Sequence, residues 1–208
     1  MRGPNRTQLR PEPEEDETRA VLPDGAFLDR AADALFAART VLVYGEVNTR
    51  LARTVTAQLL ALAAAGSGPI RVIVHSPGGH VEAGDTIHDV VRAIGPRVVM
   101  IGTGWVASAG ALIYSAAEKE NRYALPNTRF LLHQPLGGMG GRASDIEIEA
   151  HQILQMRERL NRIFARATGQ DYERIVRDTE RNFWMSANEA REYGLVHRIV
   201  DSLAEVKT

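Results

Sequence analysis

Two stretches of this chain repeat one plan, a short apolar strand, a turn of small residues and a helix, and that repetition constrains the fold more than any other feature. The first runs from Ile70 to His75 (IRVIVH) through SPGGH into a helical pattern from about Val81 to Ile94. The second runs from Arg97 to Thr103 (RVVMIGT) through Gly104 to Ala107 into a helix that opens at Ser108. Each apolar run is bounded by turn residues and too short to be a helix of its own, so it reads as a buried strand. Upstream, Thr40 to Tyr44 (TVLVY) is another strand, and Arg50 to Ala65 is a helix rich in Leu and Ala that stops at Gly66. Such alternation gives an α/β layer architecture of repeated β-α-β units. Parallel crossovers bring both turns to the same edge of the sheet, where sites form in these folds.

Both turns carry residues suited to chemistry. Ser108 sits among Ala107, Ala109, Gly110 and Ala111, and His133 follows 25 positions later at the end of an apolar strand. A hydroxyl that attacks a carbonyl must stand clear of bulky neighbours, with a base in reach, so the pair reads as nucleophile and base. A serine in this position also serves as an ordinary helix N-cap. In the first turn, Pro77-Gly78-Gly79 presents backbone N–H groups at a helix N-terminus, where developing negative charge is stabilised, and Gly79 is the donor expected to face it. A strand-to-helix turn with no such role is the plainer alternative; the repeated layout favours the site.

With 208 residues, 44% of them hydrophobic, the chain builds one core, preceded by a polar segment over residues 1–23 that passes from basic to acidic and is expected to be disordered. The folded domain is expected over 24–208, opening with a helix over Phe27 to Ala38. A net charge of -1 gives no reason to expect nucleic acid or an anionic membrane as partner. The absence of cysteine excludes disulfides, thiolate catalysis and cysteine-bound zinc. No apolar run approaches the roughly 20 residues of a membrane span, and the N-terminus has no secretory apolar region, so a cytoplasmic protein is expected. His75, His80 and His88 surround the first turn without a tight ligand pair and read as surface or hydrogen-bonded residues rather than metal ligands. His151 and His197 suggest nothing sharper.

Beyond His133 come LGGMGG and a helix with an expected capping box at Ser144 and Glu147, apolar positions running to Ala167 and a stop at Gly169. About 37 Å of amphipathic helix at ~1.5 Å per residue, entered through glycines, reads as an arm that packs on a partner. Asp171 to Asp178 is a short amphipathic segment. Ser186 with Glu189 forms a second capping box for a helix ending near Gly194, and Val196 to Val200 is a last strand.

Taken together, SPGGHVEAG, GWVASAGA, YALPNTRFLLHQPLGG, GRASDIEIEA and MSANEAREYGLV, in this order and spacing, resemble the proteolytic subunit of the ATP-dependent Clp protease, the ClpP family, over about residues 40 to 200. The resemblance implies a ClpP/crotonase-like fold with a protruding handle helix (about 134–168), and a serine peptidase that encloses its sites within stacked rings, a tetradecamer. It implies Ser108 as nucleophile, His133 as general base, Gly79 and Ala109 as oxyanion-hole amides, and Glu180 with Arg181 as contacts between rings. At the position where the family carries the triad aspartate, this chain has Asn182. An asparagine orients the imidazole without contributing charge, or selects the wrong tautomer by presenting its NH2. Asp178 would replace it only if its short helix turned it inward, which is not expected. The axial-loop segment and the aromatic residues of the strand before SPGG, which serve docking of an AAA+ unfoldase in the family, have no counterpart here: the strand reads IRVIVH.

The expectation is therefore a serine endopeptidase subunit of a Clp-type ring protease. It acts on unfolded polypeptide, needs no cofactor, and assembles with itself and an AAA+ unfoldase. The alternative is a weakly active or inactive structural ring subunit that assembles with an active paralogue. Acyl-CoA chemistry on the same fold is a weaker third, because the Ser108 and His133 contexts match the peptidase.

Overall fold

In a computed structural model of the chain, which describes residues 25–135, 137 and 140–207, runs of β-branched residues pair in parallel to make the centre of the molecule. The expected tail over residues 1–23 lies outside the described residues, as do Leu136, Gly138 and Met139 of the glycine-rich segment. Helix α1 (Gly25–Ala37) leads into β1 (Thr40–Tyr44), α2 (Thr49–Ala65), β2 (Ile70–Ser76), α3 (Val81–Ala93), β3 (Val98–Ala107) and α4 (Ala109–Tyr114). Then follow β4 (Arg122–Ala124), β5 (Arg129–Leu132), α5 (Ala143–Thr168), α6 (Tyr172–Asp178), β6 (Phe183–Ser186), α7 (Ala187–Tyr193) and β7 (Arg198–Ile199).

The sheet order β1-β2-β3-β4-β7 is parallel throughout. Alternate residues of β2, Ile70, Val72 and Val74, are buried and meet Val55, Leu59 and Leu62 of α2 and Ile87 and Val91 of α3. The opposite face is covered by a smaller cluster around Val99, Ile101, Tyr123 and Val200, and at its β1 edge Leu42 and Tyr44 stay exposed. One covered face and one partly open face explain why β1 and β2 alternate while β3, at the centre, is buried almost continuously.

Several expected boundaries shift for identifiable reasons. Gly104 to Ala107, expected as a turn, is the end of a ten-residue β3, because Trp105, Val106 and Ala107 find a second partner in β5 after Met100 to Gly102 have paired with β4. The last strand shrinks from Val196–Val200 to Arg198–Ile199, since β4 offers it only Tyr123 and Ala124. The Ser144/Glu147 capping box does not form: α5 starts two residues earlier, with Arg142 at the cap position and no side-chain cap bond. The Ser186/Glu189 box forms as expected.

Helix α5 is anchored at one end. Leu160, Ile163 and Phe164 are buried in the core, whereas Ile148 and Leu154 are each 59% exposed. The base of α5 rests on Arg122, a fully buried side chain whose Nη2 donates to the Ala167 carbonyl at the C-terminus of the helix. Burial holds the Arg122 pKa below the ordinary guanidinium range. Among the described residues no helix is long and apolar enough to cross a membrane. Arg122→Ala removes the carbonyl partner and leaves a cavity under α5; a loss of about 2–4 kcal/mol is expected in denaturant unfolding.

Candidate active site

Three strands determine which side chains meet. β5 pairs with β3 so that Leu131 lies opposite Ala107, and β6 pairs antiparallel to β5 so that Phe183 lies opposite Leu132. Continuing each ladder by one step brings Ser108, His133 and Asn182 to the same edge of the sheet. His133 Nε2 is 2.8 Å from Ser108 Oγ, and His133 Nδ1 is 3.1 Å from Asn182 Oδ1. With Oδ1 facing Nδ1, the imidazole keeps its proton on Nδ1 and turns the Nε2 lone pair to the serine hydroxyl.

Ser108 is not a conventional N-cap. Its backbone has φ 54 and ψ -122, and its side chain makes no cap hydrogen bond. A non-glycine residue there carries strain of about 1–3 kcal/mol, which the fold sustains from both sides. Its N–H donates to the Leu131 carbonyl, and its own carbonyl accepts from Ala111 and Leu112 as α4 begins. The result is a sharp elbow between β3 and α4 that raises the hydroxyl above the sheet edge. Gly78 lies directly against it: a Cβ there would stand 2.5 Å from the Ser108 Cβ.

The SPGG turn is held as an extended segment by Val47, whose N–H donates to the Gly78 carbonyl and whose carbonyl accepts from the His80 N–H, each at 2.8 Å. With residues 78 and 80 bonded to one side, the Gly79 N–H faces the other way, and it has no backbone acceptor among the described residues. Gly79 has φ +145, and a Cβ on it would lie 2.2 Å from the Val47 carbonyl oxygen. The Ala109 N–H opens α4 next to Ser108, where the first helical amides have no intrahelical acceptor.

The loop carrying Asn182 is fixed by a residue to which the sequence had given no role. Thr179, fully buried, gives its hydroxyl proton to the Ile175 carbonyl at 2.7 Å and lies 3.0 Å from the Asn161 amide, which tie the loop to α6 and α5. Its carbonyl accepts the Gln134 N–H, and the Glu180 carbonyl accepts from Gln134 Nε2, so the residue after His133 is bonded to the residues before Asn182. Nothing local in the sequence signals this role of Thr179, because Asn161 and Gln134, which it joins, are 18 and 45 positions away. Trp184 braces the other flank, edge-on to Trp105 and beneath the Arg129 guanidinium at 4.5 Å.

Asp178 is turned away from His133. It accepts the Tyr193 hydroxyl at 2.7 Å and pairs with Arg174; burial and this carboxylate push the Tyr193 phenol well above its ordinary value. Glu180 pairs with Arg157 at 2.6 Å within the chain, and Arg181 is exposed. His75 and His88 make hydrogen bonds to Thr103 and Asp89, and His80 lies 3.7 Å from Glu82. A groove of about 900 Å³ starts at Gly79 and Pro135 and runs beside α5.

A sequence profile of the family described as Clp protease matches residues 24–203. The chain belongs to the Clp protease family. Over 202 residues it is 57% identical to the ATP-dependent Clp protease proteolytic subunit 2 of Gluconobacter oxydans, covering 95% of this chain and 89% of that protein. To the proteolytic subunit 3 of Rhizobium etli it is 62% identical over 172 residues, 83% of this chain and 89% of the relative. Among solved structures, ClpP1 from Listeria monocytogenes superposes with a TM-score of 0.78 at 52% identity, covering 85% of this chain and 99% of that one. An asparagine-to-aspartate mutant of the same ClpP1 gives 0.80 at 54%. The fold is that of ClpP, as the sequence motifs implied.

Gly79→Ala should open the Val47 bridge. The expected outcome is a stability loss of at least about 2 kcal/mol, with faster amide exchange at Val47 and His80 than elsewhere in the sheet.

Proposed function

We propose that this chain is the serine endopeptidase subunit of a Clp-type ring protease, with Ser108 as nucleophile, His133 as general base and Asn182 as the residue that orients it. The observation that carries the reading is the continuous contact from Ser108 Oγ through both imidazole nitrogens to Asn182 Oδ1. His133 takes the hydroxyl proton as Ser108 attacks the peptide carbonyl. The oxyanion then rests on the Gly79 and Ala109 amides, and His133 passes the proton to the departing amine. Water, deprotonated by the same imidazole, releases the acyl group. These steps use only this chain's groups and water. The substrate would be unfolded polypeptide, the form able to lie along the groove.

Assembly into stacked rings is supported by α5, whose exposed Ile148 and Leu154 lie far from the chain's own core. Glu180 and Arg181 would meet the opposite ring beside the Asn182 loop. An AAA+ unfoldase would deliver the substrate, a role that fits the words ATP-dependent in the relatives' names, and the working place would be the cytoplasm.

A fluorophosphonate probe tests the nucleophile. Labelling is expected on Ser108 and is expected to vanish in Ser108→Ala, with the native mass in solution unchanged and well above the 22.8 kDa of one chain. Ser76 and Ser115 are buried and donate to the Gly45 and Leu112 carbonyls, so label persisting on either would overturn the assignment.

Asn182 itself favours a second reading, a ring subunit of low activity that works beside an active paralogue. A neutral amide does not stabilise the imidazolium formed as His133 takes the proton, and loss of the corresponding charge costs about 10⁴ in the Ser-His-Asp template. Asn182→Asp should raise kcat on a small peptide ester by about tenfold, or 1.4 kcal/mol, with KM little changed, since the site is exposed and the added charge is partly screened. If neither form turns over any peptide while both assemble, the structural reading replaces the catalytic one.

A further inference from the structure

Of the histidines around the first crossover turn, His75 is the one built into the sheet. Parallel pairing of β2 with β3 keeps step from Ile70 opposite Val98 to Val74 opposite Gly102, and it resumes with Ser76 opposite Val106. His75 therefore faces three residues of β3, Thr103, Gly104 and Trp105, at a bulge in the ladder. In an unbroken ladder Ser76 would meet Gly104. The bulge puts Val106 there instead, which draws the end of β3 back by two residues, roughly 7 Å at the usual rise of a parallel strand, and keeps the alternation of faces.

A bulge leaves backbone groups without their ladder partners, and the His75 imidazole supplies one from the facing strand. Its Nδ1 lies 3.2 Å from the Trp105 amide nitrogen and 3.2 Å from the Thr103 carbonyl oxygen. Nδ1 serves one of them at a time. It accepts from Trp105 when the ring proton is on Nε2 and gives to Thr103 when the proton is on Nδ1, so either neutral tautomer ties the ring to the bulge. Gly104, between the two, has φ +55, and a Cβ on it would stand 2.5 Å from Nδ1, so glycine is what permits the close approach. The His75 carbonyl accepts the Gly45 N–H at 3.0 Å, which fixes its backbone next to β1. The ring thus connects a fixed strand to a bulge that ends three residues before Ser108.

We propose that His75 is a positioning residue for Ser108: by bonding the bulged backbone it sets where β3 ends, and so where the serine elbow stands against the SPGG turn and His133. Its effect on rate rests on the peptidase reading, whereas its hold on the bulge is independent of that reading. Ser108 Oγ lies 2.8 Å from His133 Nε2, and displacement of a reacting group by about 1 Å is enough to cost rate.

The test compares His75→Leu with His75→Asn in the assembled full-length chain. Leucine fills the space without a polar group, whereas the asparagine amide offers Oδ1 to Trp105 and Nδ2 to Thr103 together. Three quantities are measured: the rate of fluorophosphonate labelling of Ser108, kcat and KM on a small peptide ester, and hydrogen exchange of the amides of Trp105 and Ser108. In His75→Leu the labelling rate and kcat are expected to fall about tenfold with KM little changed, and both amides to exchange faster; His75→Asn is expected to restore most of each loss. Leucine without effect on exchange and labelling, equal losses in both variants, or a change in KM alone would overturn the proposal. Exchange that quickens with leucine and recovers with asparagine, in a chain whose wild type takes no label and turns over no ester, would leave the positioning role standing and sink the catalytic reading. Normal wild-type labelling that leucine leaves unchanged would sink the positioning role alone.

Discussion

The hydrogen-bonded register that joins β3, β5 and β6 is the constraint on which the rest of this structure depends. A parallel pairing of Ala107 with Leu131 and an antiparallel pairing of Leu132 with Phe183 carry three residues from distant parts of the chain to one edge. A slip of one residue in either ladder would turn His133 or Asn182 to the other face, because side chains alternate along a strand. The register is protected by the core: Phe130 and Leu132 of β5 and Met185 of β6 are buried, and a slipped strand would take them out of their places in it. Packing thus fixes the relative positions of Ser108, His133 and Asn182 to within a hydrogen-bond length.

Strain and support are matched around Ser108. The serine holds a backbone conformation that costs energy, and it is sustained by the Leu131 carbonyl on one side and the first turn of α4 on the other. Gly78 and Gly79 serve opposite purposes in the facing turn. The first lets the backbone approach the serine, and the second lets Val47 clamp the turn so that an amide points outward. The elbow and the clamp come from separate β-α units whose crossovers end at one edge, so the site is as rigid as the sheet. Helix α5 contrasts with this. Only its base is buried, over Arg122, and its outward half leaves the apolar Ile148 and Leu154 exposed.

Much of the candidate site was legible because its signals are local. A serine among small residues at a strand-to-helix junction and a glycine pair at a helix start each reflect steric demands met within a few residues. Asp178 was not expected to turn toward the histidine, and in the structure its carboxylate accepts the Tyr193 hydroxyl. Thr179 was not legible, since its role depends on Gln134 and Asn161, which only folding brings near. β4 and β6 escaped notice for a related reason: three and four residues carry too little periodicity to announce a strand, and each exists because a neighbouring edge was available to pair with.

The sequence by itself determined the alternating layers, the small-residue turns at the two crossovers, the family and the presence of an asparagine where the family's motif has an acid. All of these follow from residue type, local spacing and order. Only the tertiary structure decided that Asn182 faces His133 through its carbonyl, that β3 continues past its expected end to take a second partner, and that His75 faces three residues of that strand at a bulge. Those outcomes depend on strand register and on the approach of segments far apart in the chain, and a periodic pattern read along one segment contains no information about the face another segment presents to it.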